Sequence, residues 1–278
     1  MELQELEKSE YATKANGNKL KNLVVRNLEK EKNPLIEAHV DHDIGIMFMY
    51  QALSGFLKNY ENNKPYLENY NVDIDVFRTL LNKYNGHGKG IKLDLVLVYP
   101  EEYSRFTGDG NISAGAEEFL YFIATPIDEN DQPLTTHYAI FNLQHEFEID
   151  KDIIDDGEVQ NLITRFKSSA IYNEMGNYNS PVKATDYIYY PWADINNITV
   201  ERNIYNRLYK EVKFIFGEVI DFNIIAQYFR QNPYYKFDET AYKNAYLQHE
   251  KRLTIIGKYM PDDIIGKEDF FDMGDLRP

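Results

Sequence analysis

Apolar residues recur at helical spacing in three segments of the first third of the chain. These segments are 20–28, about 43–60, and 74–84. The spacing predicts three helices, because positions three and four apart lie on one helix face. Residues 44–57 are apolar on nearly every face, which indicates a buried helix. The N-terminal part is therefore predicted to be a helical layer.

The period of the pattern changes in the middle of the chain. Residues 91–99 alternate at first and then become apolar on both faces, and residues 119–125 and 134–143 are apolar runs of strand length. Turn-forming residues at 128–133 separate the last two runs, so a β-hairpin is predicted at about 118–143. Strands that are apolar on both faces predict a sheet covered by helices on at least one side.

The second half of the chain carries mostly helical patterns. Helical runs are predicted at 159–170, 199–230 and 238–251, and the run 199–230 could be continuous or break at Gly217. Residues 187–190 could be extended, and 253–259 could continue the last helix or form a short strand. The predicted fold is therefore α+β, with N-terminal helices, a central antiparallel sheet and a mostly helical C-terminal half.

The whole chain, residues 1–278, is interpreted as a single α+β unit. Its length also allows two small domains. Gly, Asn, Ser and Pro cluster at 176–186. That cluster leaves open a subdivision into a helix-plus-sheet part at 19–175 and a mostly helical part at 186–278.

Composition excludes several classes of protein. Hydrophobic residues make up 43% of the 278 residues, which is enough for a sizeable core and argues against global disorder. The net charge of -15 opposes contact with phosphates, so no nucleic-acid partner is expected. No apolar stretch approaches the roughly 20 residues of a membrane-spanning helix, so membrane insertion is not expected.

The chain contains no cysteine, which excludes disulfides, thiolate metal sites and cysteine nucleophiles. Residues 1–32 alternate between acidic and basic and have no apolar core of the kind that a signal peptide carries. Cytoplasmic residence is the default expectation, and export by a dedicated apparatus stays open. No cofactor is predicted.

Two imidazoles and two carboxylates lie within five residues, at His39, Asp41, His42 and Asp43. These side chains could ligate a divalent metal. The alternative is a helix N-terminus, in which Asp41 or Asp43 caps free N–H groups and both histidines are solvated. The capping interpretation is preferred.

The tetrapeptide 42–45, His-Asp-Ile-Gly, also resembles the core motif of the HD-domain metal-dependent phosphohydrolases. That resemblance would imply that His42 and Asp43 ligate metal together with an upstream histidine and a downstream aspartate. No histidine precedes His39, and the residues before the motif are polar. The chain thus departs from the family pattern at the upstream ligand.

The densest aromatic patch comprises Tyr187, Tyr189, Tyr190 and Trp192. If exposed, it could stack on sugars or anchor a protein, because Tyr and Trp dominate binding hot spots. If buried, it is core. Alternation along a strand would put Tyr187 and Tyr189 on one face and Tyr190 on the other, so one face could pack while the other binds.

Residues 261–278 carry six acidic and two basic residues, interleaved with large apolar ones. The apolar residues include Phe270, Phe271, Met273 and Leu276. A solvated tail would not normally keep them. They are interpreted either as packed against the chain's own core or as a docking segment for a partner with an apolar groove.

Catalytic motifs lack key positions in this sequence. The glycine run 86–90 follows a helix and opens a strand, which is the reverse of a phosphate-binding loop and is interpreted as a Schellman-type helix end. Residues 110–115 lack the glycine that a nucleophile elbow needs at position 111. His137 and His145 would share a strand face if the strand continued past Leu143, and they are interpreted as hydrogen-bonded, partly buried histidines.

The expected function is that of a non-enzymatic protein-interaction or structural protein of bacterial type, with a protein as partner. Two alternatives stay open. One is a metal-dependent hydrolase built on the cluster at 39–43. The other is a carbohydrate- or peptide-binding module that uses the aromatic patch at 187–192. The oligomeric state does not follow from the sequence.

Overall fold

The computed structural model describes residues 42–55, 57, 70–108, 110, 117–140, 146–177, 184–200, 208–231, 252–260, 270–272 and 275–277. The helices of this part of the chain are α1 (His42–Ser54), α2 (Ile74–Tyr84), α3 (Pro100–Thr107), α4 (Asp156–Lys167), α5 (Ala170–Asn177), α6 (Trp192–Val200) and α7 (Phe222–Gln231). Its strands are β1 (Tyr70–Asp73), β2 (Gly90–Val98), β3 (Phe119–Ile127), β4 (His137–Ala139), β5 (Ile153–Ile154), β6 (Tyr187–Pro191), β7 (Glu211–Glu218), β8 (Leu253–Met260), β9 (Phe270–Asp272) and β10 (Asp275–Arg277).

The strands form two antiparallel sheets. Within the described residues the larger sheet has the order β10-β6-β2-β3-β4-β5, and the smaller sheet has the order β1-β7-β8-β9. The central strands β2 and β3 pair along their whole length, from Gly90 opposite Ile127 to Val98 opposite Phe119. β3 pairs in turn with β4, within the segment for which the sequence predicts a hairpin. The fold is mixed α+β with antiparallel sheets.

Aromatic rings join the two sheets into one core. The hydroxyl of Tyr70 in β1 donates to the carbonyl of Leu120 in β3. The ring centroid of Phe122 in β3 lies 5.4 Å from that of Tyr70 and 5.6 Å from that of Phe214 in β7. All four residues are buried. Because each buried Phe contributes about 1.5–3 kcal/mol, these contacts hold the sheets together.

The second and third predicted helices correspond to α1 and α2, and the first, at 20–28, lies outside the described residues. α2 begins after Asp73, whose carboxylate caps it by accepting from the N–H of Asp75 at 2.8 Å. α1 ends at Ser54 instead of near residue 60, because the N–H of Leu57 donates to the Ala52 carbonyl, a bond that closes a helix.

The longest helix in the described part of the chain is α1, with 13 residues. A membrane-spanning helix needs about 20 predominantly apolar residues. Among the residues that the structure describes, no helix has the length and apolar character needed to cross a bilayer.

The expectation of a mostly helical C-terminal half is not confirmed. The predicted run 199–230 contains the end of α6, the strand β7 and the helix α7. Val212, Ile215 and Phe216 fit helical spacing, but Val212, Phe214 and Phe216 also alternate, and all four are buried in a strand covered on both faces. The predicted helix 238–251 lies outside the described residues, and residues 253–260 form the strand β8.

The glycine run 86–90 serves close packing between strands. Gly108 is the only described glycine with a positive φ, so Gly86 does not end α2 in the left-handed conformation of a Schellman motif. A Cβ at Gly90 would lie 2.2 Å from the Tyr190 carbonyl oxygen, and one at Gly88 would lie 2.4 Å from the Ile127 carbonyl oxygen. Gly90 therefore lets β2 approach β6 closely, and Gly88 lets the segment just before β2 approach β3 closely.

Candidate functional site

The strand β6 divides the predicted aromatic patch between two environments. Tyr190 and Trp192 are buried, with relative exposures of 1% and 6%. Tyr187 and Tyr189 are only partly buried and lie on the opposite side of the strand, in agreement with its alternating burial. The structure therefore brings Tyr187 and Tyr189 together on one face and places Tyr190 and Trp192 in the core.

Tyr187 and Tyr189 belong to a side of the larger sheet that also carries charged residues. We call this side the polar face and define it by the residues Lys92, Asp94, Thr125, His137, Tyr187 and Tyr189. Its strands are held in register by direct pairing. Tyr189 is opposite Lys92, which is opposite Thr125, and Tyr187 is opposite Asp94. Directly paired residues share a face of the sheet, so these side chains form adjacent rows.

Each tyrosine of the polar face lies beneath a lysine. The Nζ of Lys92 is 5.2 Å from the ring centroid of Tyr187, and the Nζ of Lys89 is 5.1 Å from that of Tyr189. The Tyr189 hydroxyl donates to the Lys89 carbonyl at 3.1 Å. Lys89 also pairs with Asp131 at 2.7 Å. Cation–π contacts of this kind contribute about 0.5–1 kcal/mol at exposed sites, so they orient rings and lysines together.

Asp94 is the buried charge of the polar face. Only 6% of its side chain is exposed, and its Oδ2 lies 3.1 Å from the Nζ of Lys92. Burial raises the pKa of Asp94 above its ordinary value, while Lys92, His137 and Lys167 act in the opposite direction. The carboxylate is therefore kept in a site that favours its protonated form more than water does.

His137 connects the polar face to helix α4. Its Nδ1 lies 2.8 Å from the Thr125 hydroxyl, and its Nε2 lies 3.1 Å from the Asp156 carboxylate in the first turn of α4. The order Thr-His-Asp resembles a nucleophile–base–acid relay. Thr125, however, is fully buried in a central strand, so its hydroxyl is closed to a substrate. This hydrogen-bonded chain anchors α4 on β4.

The other end of α4 is fixed by a second polar contact. Lys167 donates to the Asp186 carboxylate at 2.6 Å, and the Tyr172 hydroxyl of α5 donates to the same carboxylate at 2.6 Å. Burial, together with Asp186, raises the pKa of Tyr172 to about 12. Asp186 directly precedes β6. The two ends of α4 are therefore tied to β4 and to the start of β6, which lie on either side of the central strands β2 and β3.

The candidate metal cluster lies at the edge of the described chain. His42 and Asp43 are the first two residues of α1. His39 and Asp41 lie outside the described residues. Within the described ranges, no three His, Asp or Glu side chains are arranged to hold a metal ion.

The C-terminal candidates contribute strands to both sheets. Phe270 and Phe271 lie in β9, which pairs with β8, and Leu276 lies in β10, which pairs with β6. Met273 lies outside the described residues. The backbone of this acidic tail thus borders the polar face through β10.

Sequence reasoning did not single out Lys92 and Asp94. The sequence feature that could have identified them is their position as two charged residues in the otherwise apolar run 91–98.

Comparison of the chain with protein-family models finds no match. Comparison with curated proteins and with solved structures also finds no match.

Proposed function

We propose that this chain is a non-enzymatic protein-interaction protein and that it binds its partner through the polar face around Tyr187 and Tyr189. The observation that carries the proposal is the pair of partly buried tyrosines, each beneath a lysine ammonium group. Cytoplasmic residence belongs to the same proposal.

The strand β6 supplies what a binding hot spot requires. Ile188 and Tyr190 are buried and fix the backbone, so Tyr187 and Tyr189 are presented from a rigid element. Tyrosine offers a large contact area at a small cost in side-chain entropy and is enriched among hot-spot residues. The site is thus pre-organised for contact.

The charge of the surroundings favours a protein over a nucleic acid. The chain has a net charge of -15, which repels phosphates over the whole surface. Lys89 and Lys92 are the local cations beside the tyrosines, and each has an acidic neighbour, Asp131 and Asp94 respectively. A partner surface with mixed charges and apolar groups fits this environment better than a polyanion does.

A photo-crosslinking experiment tests the proposal in the native cell. The full chain is produced with p-benzoylphenylalanine in place of Tyr187, and a matched chain carries it in place of Tyr50, which is 70% exposed on α1. We expect a defined protein adduct from position 187 and none from position 50, with the adduct identified by mass spectrometry.

The partner identified from the adduct is then purified, and its affinity for variants of the chain is measured. Tyr187→Ala should weaken its binding about thirtyfold, which corresponds to a hot-spot loss of about 2 kcal/mol, whereas Tyr50→Ala should leave the affinity unchanged. Adducts only to glycans would favour the carbohydrate-binding alternative. Equal adducts from both positions would contradict a site on the polar face.

A further inference from the structure

One short segment forms the outermost described strand of both sheets. β10 pairs with β6, with Leu276 opposite Ile188, and β9 pairs with β8, with Phe271 opposite Gly257. Only residues 273–274 separate the two strands in the sequence. We call the strands β9 and β10, residues 270–272 and 275–277, the C-terminal strap. It covers three residues of β6 and three of β8.

The strap carries charges that complement those of the polar face, row by row. Asp275 is opposite Tyr189, which is opposite Lys92. Arg277 is opposite Tyr187, which is opposite Asp94. Each row thus ends in residues of opposite charge, whose backbone positions lie about 10 Å apart across two strand spacings, a separation comparable to the screening length at about 0.1 M salt.

The central residue of the strap strand has a register position on the other face of the sheet. Leu276 is opposite Ile188, which is fully buried. A slip of one residue would move Leu276 to the polar face. A slip of two residues would align Arg277 with Tyr189 and therefore with Lys92, a charge of the same sign. The edge of β6 thus selects an acidic–apolar–basic order.

We propose that the edge of β6 is a docking site for an extended acidic–apolar–basic segment of a protein partner, and that the strap occupies this site as an intramolecular substitute. The inference rests on the proposed function and names its binding mode, which is addition of a strand to a sheet edge. Backbone hydrogen bonds supply the attachment, and the two charged rows supply the register.

Disulfide trapping tests the register, and the cysteine-free chain makes the result unambiguous. Directly paired residues have Cα atoms about 4.5–5.5 Å apart, within the range of a disulfide. Tyr189→Cys/Asp275→Cys should therefore oxidise within one chain. The control Tyr189→Cys/Arg277→Cys joins positions about 7–8 Å apart on the diagonal and should oxidise about tenfold more slowly. Equal rates would overturn the assigned register.

A peptide experiment tests the docking site. The labelled peptide FFDMGDLRP, which is residues 270–278, is titrated with the full chain and with the full-length variant Asp275→Arg/Arg277→Asp. Exchanging the strap's charges weakens the internal competitor, so we expect the variant to bind the peptide about fivefold more tightly. The peptide FFDMGRLDP, with the same composition, should bind about fivefold more weakly. Binding that ignores charge order, or no binding, would overturn the proposal.

The oxidised Ile188→Cys/Leu276→Cys chain, which joins another directly paired position and keeps Tyr189, separates this inference from the proposed function. With the crosslinker at position 187, the partner adduct should be lost when the strap is locked and should return on reduction. An adduct that persists in the locked form would refute strand docking but leave the polar-face site intact. The absence of an adduct in both forms and in the native background would refute the proposed function itself.

Discussion

A single methyl group at Gly90 provides a stringent test of how β2 meets β6. An ideal Cβ at this position would lie 2.2 Å from the Tyr190 carbonyl oxygen and 2.9 Å from the Pro191 Cα. Both are backbone atoms of β6, so they cannot move aside as the end of a side chain could. Gly90→Ala must therefore push the two strands apart at the end that carries Tyr189.

The magnitude follows from the cost of overpacking. Inserting a methyl group into a well-packed interior costs about 1–3 kcal/mol, and a clash with backbone belongs at the upper end of that range. For a chain of this size, each kcal/mol lowers Tm by about 2–4 °C. Gly90→Ala should therefore lower Tm by about 6–12 °C.

The same glycine run supplies the control. Nothing lies within 4 Å of a Cβ at Gly86, so Gly86→Ala should change stability by less than about 0.5 kcal/mol. Thermal unfolding followed by far-UV circular dichroism gives Tm, and urea unfolding gives the free energy of unfolding, for both variants under identical conditions. If Gly90→Ala were as stable as Gly86→Ala, the close approach of β2 and β6 would be wrong.

Three further predictions concern charged residues. Burial raises the pKa of Asp94, so its stabilising contribution is present at low pH and lost as the pH rises through that pKa. Asp94→Asn should therefore gain stability relative to the native chain as the pH rises above about 4 in urea titrations, and a constant difference would contradict this. Burial also raises the pKa of Asp194 from 3.8 to about 6. Stability should then fall between about pH 4 and about pH 6 by on the order of 1 kcal/mol, after allowance for partial exposure, and Asp194→Asn should abolish that fall. For Glu102, burial acts to raise the pKa, but hydrogen bonds from Arg165 and a backbone N–H outweigh it and leave the pKa lowered. That contribution is present above the ordinary pKa and lost as the pH falls, so Arg165→Lys should cost about 1–2 kcal/mol at about pH 7 and less once the pH has fallen through the lowered pKa. An equal cost at neutral and acid pH would show that the forked contact is not the cause.

Elements with a local signal were predictable from the sequence. Asp73 caps α2 as its position before an amphipathic run suggested, and the apolar runs of β2 and β3 are strands. The assignment of β7 required more than a local signal. Its apolar residues satisfy both helical and alternating spacing, and burial between other elements selects the strand.

The polar face could not be predicted because four strands distant in sequence build it. Lys92, Thr125, His137 and Tyr189 come from β2, β3, β4 and β6. Single-sequence periodicity reports which face a residue occupies within its own strand, and it carries no information about which strands are neighbours. The sequence could predict only that Tyr187 and Tyr189 share a face, because both lie in the same strand and their alternation is visible within it.

Competition with the strap sets a condition on any partner that docks at β6. The strap follows β8 after nine residues in the sequence, and so short a separation along one chain corresponds to an effective concentration on the order of 1 mM. If a partner strand and the strap bound the edge equally, each with an intrinsic Kd of about 0.1 mM, the strap would weaken the partner's apparent affinity about tenfold. Strand pairing alone would then leave the partner with a Kd of about 1 mM. A partner must therefore gain further contacts that the strap does not make. The adjacent Tyr187, Tyr189 and their lysines are the surface on which about 4 kcal/mol would restore micromolar binding.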